Sequence, residues 1–240
     1  MASLKRKSSI KRPKSKEVEP GSQKASHNDT IRAYHFVPAN YGLDDLRHRR
    51  LKIAQLDDLN DPFELWAVAQ PDRRLRKGIR DAKKEMARSF GMLCFSRTWQ
   101  NPLLWSHYAA RHQGVALGFD IARKCIKNVS YVERRPVLHA VDEELVHHVL
   151  YTKYIDWQYE HEARVYTSLE DIDPKSGLYF ADFSDNCVLR EVIVGPLSSV
   201  TKAELAEALG EHRGGVSLIK ARLAFNSFKV VKNKLGFRNG

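Results

Sequence analysis

Cysteine is scarce: Cys94, Cys125 and Cys187 are the only three in 240 residues, and none form a Cys-x-x-Cys pair. An odd number at such spacing argues for reduced thiols and against a disulfide frame or a zinc site. Long apolar runs are missing too, since no stretch approaches the roughly 18–20 residues of a membrane helix, so no membrane partner is expected. The start, Met1-Ala2-Ser3-Leu4-Lys5-Arg6-Lys7, is basic but leads into no apolar segment. A secretory signal is therefore not expected, and the expected location is cytoplasmic. Phosphate-cradling Gly-x-Gly-x-x-Gly and Walker loops are lacking, as is a Gly-x-Ser-x-Gly elbow, which weakens Rossmann, NTPase and α/β-hydrolase readings. Histidine offers no helical metal pair: His147 and His148 are adjacent and diverge, while His107 and His112 are five apart. No metal is expected.

What is present is positive charge, unevenly spread. Of a net +11, residues 1–28 hold eight Lys/Arg against Glu17 and Glu19, leaving 32 basic and 27 acidic groups for the rest. Residues 1–28 are rich in Ser, Lys and Pro and contain no aromatic residue. Such a segment cannot bury enough surface to offset its chain entropy, so a disordered basic tail is expected. It is either a solvated tail or a nucleic-acid contact that gains by releasing counterions, salt-sensitive and without sequence preference. The remainder, 29–240, reads as one α+β domain of unspecified oligomeric state.

Order is expected to begin with a strand at Ile31 to Phe36, then a helix at Leu43 to Arg49 and an alternating strand at Leu51 to Leu56. Residues 73–89 read as an amphipathic helix with Leu75, Ile79, Ala82 and Met86 along one stripe. Met92 to Ser96 is a compact apolar strand. Asn101-Pro102 has the form of an N-cap with proline at the first helical position, opening a helix with Leu104, Trp105, Tyr108 and Ala109 on one face. Gly114 to Phe119 is a buried strand, and 142–154 reads as a second helix with Leu145, Val149 and Leu150 inward. Strands follow at Ala163 to Ser168, Val188 to Val194, 216–223 and 228–232. Thr201 with Glu204 predicts a capping box, and Gly210 the matching stop. Strands outnumber helices without strict βαβ alternation, which favours α+β.

Three segments carry chemistry. In the stretch Trp157 to Tyr166, read as strand, Glu160, Glu162, Arg164 and Tyr166 share one face while Ala163 and Val165 enter the core. Such a row either is an exposed face with an ordinary ion pair or lines a cleft, where crowding raises one glutamate and Arg164 holds the other ionised. Asn60-Asp61-Pro62 ends a strand in a turn with Phe63-Glu64 following; the plain version anchors Phe63 in the core. Cys94-Phe95-Ser96 delivers Ser96 to a strand end, beside Trp105 and Tyr108, which at that spacing are either core or ligand contacts. Tyr34-His35-Phe36 is a weaker candidate.

Taken in order, Tyr34-His35-Phe36, Asn60-Asp61-Pro62-Phe63-Glu64, Cys94-Phe95-Ser96, Leu104-Trp105-Ser106-His107-Tyr108-Ala109, Gly114, Gly118-Phe119-Asp120, Val129-Ser130-Tyr131 and Tyr159-Glu160-His161-Glu162-Ala163-Arg164 resemble the mostly bacterial family numbered DUF twenty-nine seventy-one. The match runs from about 32 to about 195. That family is named for lacking an assigned activity, and the resemblance suggests phage-defence or toxin-like settings. A more distant similarity is to ADP-ribosyltransferase-like domains, which implies a split mixed or antiparallel sheet with flanking helices. In them an early His or Arg, a middle Ser or Tyr and a late Glu converge on NAD. His35, Ser96 and Glu162 follow that order, with Glu160 flanking, although Phe95-Ser96-Arg97 departs from the Ser-Thr-Ser strand of those enzymes. The resemblance implies that Glu162 steadies an oxocarbenium-like ribose, His35 holds the adenosine-side ribose, Tyr108 or Trp105 stacks on a flat ring and Glu160 deprotonates the acceptor. Tyr34, Asn60, Asp61, Glu64 and Arg164 complete the candidate site.

An NAD-consuming transferase or glycohydrolase, with NAD as substrate, is thus the leading expectation. A non-catalytic nucleic-acid-binding or interaction module is the alternative. A nuclease with Asp61, Glu64, Glu160 and Glu162 on Mg²⁺ or Mn²⁺ is the third.

Overall fold

A computed structural model describes residues 29–56, 59, 61, 63, 73–135 and 148–237, without the side chains at 74, 75, 79 and 82. The expected tail at 1–28, Asn60, Pro62, Glu64 and the first part of the expected 142–154 helix lie outside the described residues, as do the side chains of Leu75, Ile79 and Ala82.

In chain order the elements are β1 (Thr30–Val37), α1 (Ala39–His48), β2 (Arg50–Lys52), β3 (Ala54–Gln55), α2 (Arg73–Ser89), β4 (Phe90–Ser96), α3 (Pro102–Tyr108), β5 (Val115–Ala122), β6 (Lys127–Asn128) and β7 (Ser130–Val132). Next come β8 (Thr152–Tyr154), a 3₁₀ turn (Ile155–Glu160), β9 (Glu162–Ser168), β10 (Phe180–Asp182), β11 (Cys187–Val194), α4 (Lys202–Leu209), a 3₁₀ turn (Gly210–Arg213), β12 (Ser217–Leu223) and β13 (Val230–Lys232). The result is a mixed α+β body built on a curled, mostly antiparallel sheet. Its order is β13-β12-β11-β5-β1-β4-β9-β6, with β3 on β4; β10-β2 and β7-β8 form two small sheets. Parallel pairing occurs at β11/β12 and β7/β8.

Period-two alternation decides what each face meets. Ala33, Val37, Phe95, Leu117, Phe119, Ala163, Val192 and Val194 pack with Leu46 of α1 and Leu205 and Leu209 of α4. Phe36, Ala116 and Ile193 pack on the other face against Trp105 of α3 and Ala109 at its end. A bulge at Arg190 shifts the β11/β5 register, so that Glu191 stands opposite Gly118 while Val192 still opposes Leu117 in the core. Gly118 is bare for that reason: a Cβ there would come 3.0 Å from Tyr34 Cε1 and 3.1 Å from Glu191 Cβ.

Local signals produce the helix ends. Asn101 accepts a hydrogen bond from Leu103 N at 2.9 Å with Pro102 at the first helical position. Thr201 and Glu204 form both halves of a capping box, and Gly210 ends α4. Two expectations need correction. Thr152–Tyr154 is strand β8, not the end of a helix, and it pairs with β7. Leu51 to Leu56 is not one strand: Arg50–Lys52 joins β10 and Ala54–Gln55 joins β4.

Candidate functional site

The pocket forms where the sheet loosens. β1 pairs with β5 along its whole length and β4 with β9 through seven residue pairs, yet β1 meets β4 at the single pair Tyr34–Ser96. Ser96 also opposes Glu162, so Tyr34, Ser96 and Glu162 stand in one row across three strands. Around that point lies a pocket of about 270 Å³, walled by Tyr34, His35, Ser96, Leu104, Tyr108 and the charged quartet Lys153, Glu160, Glu162 and Arg164, among others.

The quartet is almost fully buried: Glu160 is 4% exposed, Glu162 6%, Lys153 6% and Arg164 1%. Arg164 grips Glu162 with two parallel bonds, Nε to Oε1 at 2.8 Å and Nη2 to Oε2 at 3.0 Å. Its Nη1 donates to the Leu150 carbonyl at 2.6 Å, so the guanidinium is locked. Lys153 Nζ bridges the two acids, 2.7 Å from Glu160 Oε2 and 3.1 Å from Glu162 Oε2. The remaining oxygen, Glu160 Oε1, accepts a short bond from the Tyr108 hydroxyl. Among the described residues two cations face two carboxylates, and such pairing is how charge survives at such depth. Burial by itself drives the Glu162 carboxyl upward, but Arg164 and then Lys153 outweigh it and hold it at about 2. Glu162 is ionised at any physiological pH.

Backbone contacts fix the quartet in place. Glu160 is the last residue of the 3₁₀ turn, and His161 follows in the left-handed region at φ 44°. Ser96 Oγ donates to the Glu160 carbonyl at 2.6 Å, Asn101 Nδ2 to the Tyr159 carbonyl at 3.0 Å and Arg97 N to the His161 carbonyl at 2.9 Å. The loop ahead of α3 thereby holds the turn carrying Glu160. Glu162 N donates to the Tyr131 hydroxyl at 2.8 Å. Glu160 is consequently not on the strand with Glu162, as period two suggests; the turn brings the two acids together through Lys153 instead.

The other expected residues divide. Tyr34 lines the pocket but leans along the sheet to Glu191, and burial, reinforced by Glu191, pushes its hydroxyl up to about 12. His35 alternates onto the opposite face from Tyr34, its ring edge-on to Phe95. Its Nδ1 is 3.0 Å from the Cys94 carbonyl, in the opening between β1 and β4. Burial lowers its pKa against the pull of that carbonyl, so the ring is neutral. Tyr108 and Arg164 join the pocket, whereas Trp105 is fully buried, donates from Nε1 to the Trp99 carbonyl at 2.6 Å and touches Phe36. It is core, not wall. Asp61, 5% exposed, closes a turn by accepting from Phe63 N at 2.8 Å, but Phe63 is 59% exposed rather than anchored in the core. Asn60 and Glu64 lie outside the described residues.

Lys153 is the residue that sequence reasoning missed. It sat in a segment that reads as the end of a helix, and only its place seven residues before a Glu-x-Glu-x-Arg row hints at a counter-charge. Among the described residues no three His, Cys, Asp or Glu side chains converge as a metal site. No described helix is long and apolar enough to cross a membrane. Comparison with family models, curated proteins and solved structures gave no match to the chain.

Proposed function

We propose that this chain cleaves the nicotinamide–ribose bond of NAD, as a glycohydrolase or a transferase. The observation that supports the reading most is the pocket itself. Residues that carry the family resemblance but stand far apart in sequence, Tyr34, His35, Ser96, Leu104, Tyr108, Glu160, Glu162 and Arg164, line one cavity with two buried carboxylates at its floor. At about 270 Å³ the cavity falls just below the roughly 300–1,000 Å³ that encloses a drug-sized ligand, so it suits the nicotinamide–ribose end and leaves the adenosine end outside.

The carboxylates divide the work. Glu162 accepts three charged hydrogen bonds from Arg164 and Lys153 and acts as an anchor. Glu160 accepts one from Lys153 and one from the neutral Tyr108 hydroxyl, which leaves more of its charge for the substrate. As the C–N bond breaks, its electron pair leaves with nicotinamide and the ribose carbon gains cationic character, which an adjacent fixed carboxylate stabilises. Water or an acceptor hydroxyl then attacks that carbon and gives up its proton. This assignment moves the leading role from Glu162 to Glu160 and makes Glu162 a positioning residue.

The test is nicotinamide release from NAD by the full chain. Glu160→Gln keeps an acceptor for Tyr108 and removes the charge, so turnover is expected to fall about 10²–10³-fold in a variant whose folding is checked by circular dichroism, since Lys153 loses one of its two acids. No release by the wild-type chain, together with no thermal shift at millimolar NAD, overturns the proposal.

A further inference from the structure

Among the described residues, the three most exposed large apolar side chains, Phe228, Leu235 and Phe225, lie on and beside the β12–β13 hairpin. Its tip, 224–229, carries Phe225 at 87% and Phe228 at 98% exposure, and Leu223 at the end of β12 and Leu235 after β13 are exposed too. Large apolar side chains held this far into water mark a contact surface when they cluster. From Ser217 to Phe237 the chain has five cations, Lys220, Arg222, Lys229, Lys232 and Lys234, and no acid. The tip is also fixed in shape. Ala224 N donates to the Lys229 carbonyl at 2.9 Å, and Val230 N to the Gln100 carbonyl ahead of α3 at 2.9 Å. The Arg222 guanidinium lies over the Phe225 ring, 4.3 Å from its centre, and holds that ring presented.

We infer that this hairpin is a binding surface for single-stranded nucleic acid, with Phe225 and Phe228 stacking on unpaired bases while Lys229, Lys232 and Lys234 meet the phosphates. Flat rings interleaved with cations are what such a strand requires, because every base offers a face and every linkage a charge. Two other occupants fit less well. An anionic bilayer would draw Asn226 and Ser227, which separate the two rings, out of water along with them, at the cost of burying unpaired amide and hydroxyl groups. A second copy joined by two-fold symmetry would set like charges against each other on a segment with no acid to answer them. The inference stands independently of the NAD reading.

Fluorescence anisotropy of the full chain with a labelled oligothymidylate of 20 nucleotides tests it, against a duplex of equal length. Phe225→Ala with Phe228→Ala is expected to weaken single-strand binding at least tenfold and leave duplex binding unchanged, with the same melting temperature because both rings are exposed. Lys229→Gln, Lys232→Gln and Lys234→Gln together are expected to flatten the log–log salt dependence by about 2. The basic residues at 1–28, untouched in both variants, contribute no stacking and so cannot mimic the first result. The inference is overturned if the wild-type chain fails to bind the oligothymidylate, or if the aromatic variant binds it equally well. Wild-type self-association, or sedimentation with phosphatidylserine vesicles, that the aromatic variant abolishes would also overturn it and assign the surface to that occupant.

Discussion

Changing Glu162 to Gln leaves the Arg164 guanidinium, 1% exposed, against an amide that cannot balance its charge. Lys153 keeps Glu160, whereas Arg164 loses the carboxylate that holds both its Nε and its Nη2, and its Nη1 stays on the uncharged Leu150 carbonyl. Removing one partner of a buried ion pair costs about 3–5 kcal/mol. The acid's own titration gives a similar figure: a carboxyl held at about 2 instead of its ordinary 4.5 contributes about 3 kcal/mol at neutral pH. Because its folded value is depressed, that stability is complete above about pH 4.5 and drains away as pH falls toward 2. For a chain of this size the loss corresponds to about 6–20 °C in melting temperature at pH 7. Thermal unfolding followed by circular dichroism measures it, with Glu162→Gln/Arg164→Met alongside, since removing both members is expected to restore at least half of the loss. A single variant that melts within 2 °C of wild type at pH 7 would refute the claim that this pair holds the pocket floor.

Asp45 on α1 is 4% exposed, and burial, with Asp44 adding to it and Arg50 opposing, pushes its carboxyl up to about 7. Folding therefore opposes its ionisation, so Asp45→Asn is expected to raise the melting temperature by several degrees near pH 7.5 and hardly at all near pH 4; equal gains at both would contradict this. Gly114 stands where a Cβ would press on the Val37 carbonyl oxygen and come within 2.9 Å of Ala109 Cα. Backbone cannot yield as a side chain does, so Gly114→Ala is expected to cost about 1–3 kcal/mol, read as a lower urea midpoint with an unchanged slope.

Where a feature depends on neighbours in sequence, it was legible. The helix Arg73–Ser89, the Asn101-Pro102 start and the Thr201–Glu204 box need only local periodicity and capping chemistry. The site was legible as a set of residue types but not as an arrangement. Glu160 and Glu162 do meet, yet through a 3₁₀ turn and a left-handed His161 that no alternation rule anticipates. Trp105 and Tyr108 share a helix and differ in fate because Phe36, 69 residues earlier, packs edge-on against the first. Lys153 was hidden for a related reason: a lone cation between Thr152 and Tyr154 acquires meaning only once β8 folds beside the turn carrying Glu160. Long-range packing decides each of these.

A seam of one residue pair joins β1 to β4, and the two ladders it links are each continuous and share one hydrophobic core. The mouth of the cavity thus has two continuous jambs that meet at Tyr34 and Ser96. Enlarging either residue would change the gape for a guest while leaving both ladders intact.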